Sequence, residues 1–234
     1  VWLKRAHASL RPPPADCGGQ SLANTCWALA IIDPKEFTNT AVHIAKFIVD
    51  NPKFDLAPPH RANVAWSLAK TGVEDGRFDE ALKALCTMDV KKLESSSHFN
   101  NMDGLSIAQL TWAVATVRAH HTKIFDQIAN LVCNKKTQDL TKVFSPRSMC
   151  NVLWAFSAVA HKHDQFSELC ANTFLNKRNI FNRADVSVLA WCFAVQDTYK
   201  SFEHEKNNLH SSLTSFAKQL GFPEKFKPHE VHAM

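Results

Sequence analysis

Apolar residues along this 234-residue chain recur at helical spacing, in step with five tryptophans. Aligned on Trp27, Trp66, Trp112, Trp154 and Trp191, the segments read SLANTCWALA, HRANVAWSLA, SIAQLTWAVA, SMCNVLWAFS and DVSVLAWCFA. Four residues before each Trp the side chain is small: Ala23, Ala62, Ala108, Cys150 and Ser187. Three residues after, it is small again: Ala30, Ala69, Ala115, Ser157 and Ala194. Two residues after stands a bulky apolar one: Leu29, Leu68, Val114, Phe156 or Phe193. At about 100° per residue, positions −4, 0 and +3 fall on one side of a helix, while −5, −2 and +2 make a second stripe roughly opposite. This pattern predicts a helix with two buried faces and places all five tryptophans in the repeat core.

The second half of each period predicts a partner helix. Residues 37–48, 78–88, 124–134, 166–176 and 209–220 carry Phe, Leu, Ile and Val at helical spacing, and strand-like alternation is absent. Successive tryptophans are 39, 46, 42 and 37 residues apart, a mean of 41. A period in the range of about 20–50 residues is the signature of stacked repeats, because one hairpin cannot bury two faces alone. The expected fold is all-α, an α-solenoid of about five helix-turn-helix repeats. Its domain would span 20–221, after an N-terminal extension or partial cap (1–19) and before a C-terminal tail (222–234). Ser21, His60, Ser106, Ser148 and Asp185, six residues before each Trp, are the expected helix N-caps.

Composition narrows this picture only modestly. A 45% hydrophobic, 21% charged chain suits one folded body rather than a disordered one. No apolar run approaches the roughly 20 residues of a membrane span, and the opening residues lack the apolar core of a secretory signal. The seven cysteines occur singly, several of them on helix positions expected to be buried. Cys26, Cys150 and Cys192 are expected to be reduced and buried, in a reducing intracellular compartment.

The net charge of +5 permits an anionic partner without requiring one. The basic residues are clustered, however: Lys91, Lys92, Lys123, Lys135, Lys136, Lys142, Arg147, Lys162, Lys177, Arg178 and Arg183 fall at turns and loops in phase with the repeat. One reading makes them phosphate contacts on a nucleic acid; the other makes them the ordinary solvated turns of a helical protein. A row of amides also recurs three residues before Trp, at Asn24, Asn63, Gln109 and Asn151, broken by Val188 in the last unit. Such amides can read base edges, as in repeat proteins that read one base per helical unit. They can equally bond a neighbouring turn and lock one unit to the next.

The segments LANTCWALA, RANVAWSLAKTG and MCNVLWAFS resemble the core motif of octotricopeptide-type repeats and of the related helical repeats found beside RAP domains and in FAST-kinase-like proteins. The similarity covers about 20–220. It implies an α-solenoid of a mitochondrion or plastid that binds organellar mRNA or rRNA, stabilising or scaffolding it, as a free factor or as a component of an organellar ribosome. The last unit lacks the amide, and no RAP-like segment follows GFPEKFKPHEVHAM, so the RNA-cleaving activity of some relatives does not carry over.

No phosphate-binding glycine loop, HExxH or GxSxG motif occurs, and the histidine pairs at 120–121 and 161–163 lack Cys or carboxylate partners at metal-site spacing. Neither enzyme activity, a cofactor nor a metal is therefore expected. The alternative to RNA binding is a protein-interaction scaffold, in which the same helical face receives a subunit of a large organellar complex.

Overall fold

The computed structural model describes residues 2–11, 13, 17–71, 80–82, 84–85, 102–117, 122–134, 139–198 and 209–221. These are helical or irregular, with no strand among them. The chain divides into two compact units, Val1–His121 and Thr122–Met234. The first contains α1 (Trp2–Ser9), α2 (Gly19–Ile32), α3 (Pro34–Asp50), α4 (Pro58–Lys70) and α5 (Gly104–Thr116). The second contains α6 (Thr122–Asn134), a 3₁₀ turn at Leu140–Lys142, α7 (Pro146–Ala158), α8 (Asp164–Lys177), another 3₁₀ turn at Arg178–Ile180, α9 (Arg183–Val195) and α10 (Leu209–Gln219).

Within each unit, helices of one kind pack chiefly on their own kind. In the first, the tryptophan-bearing helices form a row, α2 against α4 and α4 against α5, with α3 behind them and α1 resting on α3. In the second, α7 packs on α9, while the partner helix α8 contacts α6 and α10. The predicted partner segments 124–134, 166–176 and 209–220 thus correspond to α6, α8 and α10, and 37–48 lies inside α3. The segment 78–88 lies largely outside the described residues.

Helix starts recur at a fixed offset, nine residues before Trp: Gly18, Ala57, Asp103, Ser145 and Asn182 are the N-caps. The expected caps six residues before Trp are instead the third residue of each helix. Asp103, Ser145 and Asn182 accept hydrogen bonds from the backbone N–H of Ser106, Ser148 and Asp185. At Asn182 the box is reciprocal, since the Asp185 carboxylate accepts from the Asn182 N–H. Pro58 and Pro146 occupy the first turn, where a missing N–H costs nothing. Gly19 at the start of α2 leaves room for the Asp55 carbonyl, which a Cβ would strike. Helices α7 and α9 end alike, six residues past Trp, on Ala160 and Asp197 with φ of 55° and 57°. After α7 the His161 N–H reaches the Phe156 carbonyl and the Ala160 N–H reaches Ser157, satisfying carbonyls that the last turn would orphan.

The burial pattern corrects one expectation. The small side chains at −4 and +3 are buried as predicted in the first four frames, among them Ala23, Ala62, Ala108, Cys150, Ala30 and Ala69. So are the bulky ones at +2, Leu29, Leu68, Val114, Phe156 and Phe193. The tryptophans between them are not core residues. Trp27 is 44% exposed, and Trp66, Trp112, Trp154 and Trp191 are half-buried. The physical reason is volume: alanines at the seam bring neighbouring helices too close to admit an indole, so the ring is displaced outward over the seam. The Trp66 and Trp112 rings meet there, on adjacent helices, with centroids 6.4 Å apart and planes tilted by 38°. The core of the second unit is instead built on phenylalanine, with Phe156 stacked edge-on to Phe125 and tilted against Phe166, both at 5.0 Å.

The sequence pattern assigned no element to 1–19, yet α1 is tied firmly to α3. The buried ring of His7 is hydrogen-bonded through Nδ1 to Thr40 Oγ1 at 2.8 Å, and Arg11 Nε donates to the same oxygen at 2.8 Å. Arg11 also pairs with Glu36 at 2.5 Å, which holds that carboxyl below its ordinary range.

Two outcomes follow from this packing. Phe156→Ala should cost about 3–5 kcal/mol in chemical denaturation, as a fully buried aromatic does, whereas Trp27→Ala should cost less than about 1 kcal/mol, as a surface change does. Cys26, Cys150, Cys170 and Cys192 are free, buried thiols; burial pushes them well up, Cys192 to about 12. In the native protein these four should resist iodoacetamide while the half-buried Cys17 labels, as read by mass spectrometry before and after unfolding.

Candidate nucleic-acid interface

On each tryptophan-bearing helix, positions −7, −3, 0 and +4 fall within a narrow arc, and this arc is the side that faces solvent. It carries Gln20, Asn24, Trp27 and Ile31 on α2; Pro59, Asn63, Trp66 and Lys70 on α4; Leu105, Gln109, Trp112 and Thr116 on α5. On α7 it carries Arg147, Asn151, Trp154 and Ala158. The structure therefore brings the predicted amides together with the tryptophans rather than with the residues at −6. Ser106, Ser148 and Asp185 at −6 are buried and serve the helix starts, while Ser21 is exposed and His60 half-buried.

Asn24 is exposed, and Asn63, Gln109 and Asn151 are half-buried. None of these four amide side chains makes a hydrogen bond to another described residue. The locking role is filled by other groups. In the second unit the Gln196 amide donates to Ser157 Oγ at 3.4 Å and to the His161 carbonyl at 3.2 Å, while its oxygen accepts from the His163 N–H at 3.4 Å. The ridge amides are left facing solvent with both donors and acceptor available.

Charge is partitioned between the two kinds of helix. Among α2, α4, α5, α7 and α9 the sole carboxylate is Asp185, 1% exposed and committed to its helix start. The partner helices carry Glu36 and Asp50 on α3, Asp126 on α6, and Asp164 and Glu168 on α8. The ridge side bears Lys70 and Arg147 and exposes no carboxylate of its own, although the cap residues Asp33 and Asp103 stand beside α2 and α5; Arg61, five residues before Trp66, is buried on the opposite side of α4. Lys70 Nζ lies 5.1 Å from the centre of the Trp66 ring, within cation–π reach.

The predicted phosphate contacts separate into three groups. Lys123, Lys142 and Arg178 are exposed, and Arg183 is exposed at the first turn of α9. Lys142 and Lys177 line one shallow open cleft in front of α7, with Arg178 in the adjoining one. A second group is already paired with a carboxylate of another hairpin: Lys177 with Asp139 at 2.7 Å, Lys162 with Asp197, and the 59%-exposed Arg147 with Asp185 at 3.7 Å. These are corrections to a purely RNA-facing role, because the partner lies 35–38 residues away in the chain and was invisible to sequence spacing. Lys91, Lys92, Lys135 and Lys136 lie outside the described residues. The signal that sequence reasoning missed is Lys70, four residues after Trp66 and so one turn along the same face.

His161 stands with its ring 5.5 Å from both Phe125 and Phe156, and its Nε2 faces Asp126 at 3.0 Å. The residue considered for a metal is thus a packed aromatic with one carboxylate partner. Among the described residues no group of three or more His, Cys, Asp or Glu could hold a metal ion, and no helix is long and apolar enough to cross a membrane. Compared with family models and with curated proteins, the chain matches none.

The paired lysine gives a titration test. The hydrogen bonds from Lys177 and Thr141 hold Asp139 down to about 2. The folded value lies below the unfolded one, so the pair stabilises the fold above the ordinary carboxylate range near 4 and is lost as pH falls toward 2. Carbon-13 titration of the Asp139 carboxyl should show this low midpoint in the wild type, moving upward in Lys177→Met; a midpoint near 4 in both proteins would remove Lys177 from this pair.

Proposed function

We propose that the protein is a non-enzymatic RNA-binding helical-repeat protein of a mitochondrion or plastid, stabilising or scaffolding a transcript or rRNA, as a free factor or within an organellar ribosome. One observation carries the reading: the solvent face of the tryptophan-bearing helices presents hydrogen-bonding amides with no partner among the described residues, on helices that expose no carboxylate. A polyanion meets no repulsion from these helices, and its bases meet groups that can pair with their edges. The recurrence of a helix start nine residues before each Trp supports five equivalent hairpins stacked as an α-solenoid with a period of about 41 residues. The exposed Lys123, Lys142 and Arg178 supply the sequence-independent phosphate contacts, and Asn63 and Asn151 the base contacts.

A protein-scaffold role would use the same face. The apolar Ile31 and Leu105 on it, 47% and 59% exposed, are the observation in its favour. The two readings separate on salt. Replacing Lys123, Lys142 and Arg178 together by Ala should weaken binding to all RNA sequences alike and flatten the salt dependence by about 0.7 per lost contact on single strands. Asn63→Ala or Asn151→Ala should alter preference at one nucleotide and leave the salt slope unchanged. Binding of labelled RNA at two salt concentrations measures both; a wild type with no RNA affinity at low salt would leave the scaffold reading standing.

A further inference from the structure

The tryptophans, displaced from the core, require an account of their own. In the first unit three of them stand on consecutive packed helices at the same offset from the helix start: Trp27 on α2, Trp66 on α4 and Trp112 on α5. Each has its amide, Asn24, Asn63 or Gln109, one turn before it on the same face. The pairing of a ring and an amide, once per helix, matches a nucleobase in its two recognisable parts, a flat π-face and a hydrogen-bonding edge.

Resting on the RNA-binding reading above, we propose that Trp27, Trp66 and Trp112 form a stacking platform for the unpaired bases of single-stranded RNA, one base per helix, with the neighbouring amide on the base edge. The Trp66 and Trp112 rings already stand beside each other, with centroids 6.4 Å apart and planes tilted by 38°, and Trp27 is the most open of the three. Lys70 sits beside Trp66, where its ammonium can turn from the ring to the phosphate of the base that takes its place. A polyanion meets no repulsion from these three helices, since none carries a carboxylate: α2 and α5 hold no ionisable acid or base other than Cys26, and α4 adds the half-buried His60, the buried Arg61 and the exposed Lys70. An apolar protein partner would bury the three amides against groups that leave them unpaired, a desolvation cost that RNA avoids. Duplex RNA keeps its bases stacked on one another, so its π-faces are closed to such a platform and single strands are selected.

The test uses the full chain, fluorescein-labelled U12, a 12-base-pair RNA duplex, and the variants Trp27→Leu and Trp27→Phe. Trp27 is chosen because its exposure makes loss of folding small, and circular dichroism melting checks each variant. The wild type should prefer U12 over the duplex by at least tenfold at equal salt. Trp27→Leu should lose about tenfold in U12 affinity with an unchanged salt slope, and Trp27→Phe, which keeps a stacking ring, should recover most of it. If the wild type binds U12 but Trp27→Leu binds equally well, or Phe and Leu lose affinity alike, or the duplex binds as tightly, the platform is overturned while RNA binding stands. If the wild type binds neither RNA at low salt, the RNA reading falls and the platform with it.

Discussion

The separation between adjacent tryptophan-bearing helices governs the rest of this architecture. Ala62 and Ala69 on α4, and Ala108 and Ala115 on α5, are buried where these helices meet. Methyl-sized side chains permit close approach of two backbones, and close approach leaves no pocket of indole size. Bulky residues are therefore sorted by direction. Those at +2 point into the layer between the two kinds of helix and fill it, whereas the one aromatic directed along the seam is driven to the rim. The aromatic content of the outer face and the density of the inner seam have the same cause.

The same sorting accounts for the distribution of charge. A helix that buries most of its circumference has room for few charged groups, and α2 and α5 carry no acidic or basic residue at all apart from the inert thiol of Cys26. Carboxylates collect on the outer helices and in the loops, where they are hydrated or pair with lysines. Ion pairs at such exposed places add little to stability. Their effect is on the field: Asp139 and Asp197 each neutralise a lysine that would otherwise enlarge the basic edge of the second unit.

Much of the fold was legible because period and side-chain size are properties of the chain itself. The small residues at −4 and +3 and the large ones at +2 were assigned correctly wherever the neighbour repeats the same pattern. The position of the tryptophans was not legible, because whether a large ring fits depends on interhelical distance and not on angular position. The helix starts were shifted by three residues because Ser106, Ser148 and Asp185 look like caps in sequence. They are the residues whose backbone is capped, and the capping position itself varies from Gly18 and Ala57 to Asn182. Helix α1 escaped notice because it matches no frame and is held by polar contacts of His7 and Arg11. Lys162 and Lys177 read as available cations because their acidic partners belong to other hairpins. In the candidate site the amide row was visible from sequence; its companionship with the rings was not.

The polar ties of the second unit have a direction. Gln196, following α9, reaches back to Ser157 on α7 and to His161 just after it, and Asp185 of α9 reaches back to Arg147 of α7. Both ends of α9 are thus held to α7 by polar groups, the start through Asp185 and the end through Gln196. In the first unit α1 is tied in another way, as a short helix outside the frame, laid on α3 and fastened at Thr40 and Glu36, with Lys4, Arg5 and Ser9 exposed. Such ties specify which side chain meets which, where the apolar seam specifies only how closely two helices approach.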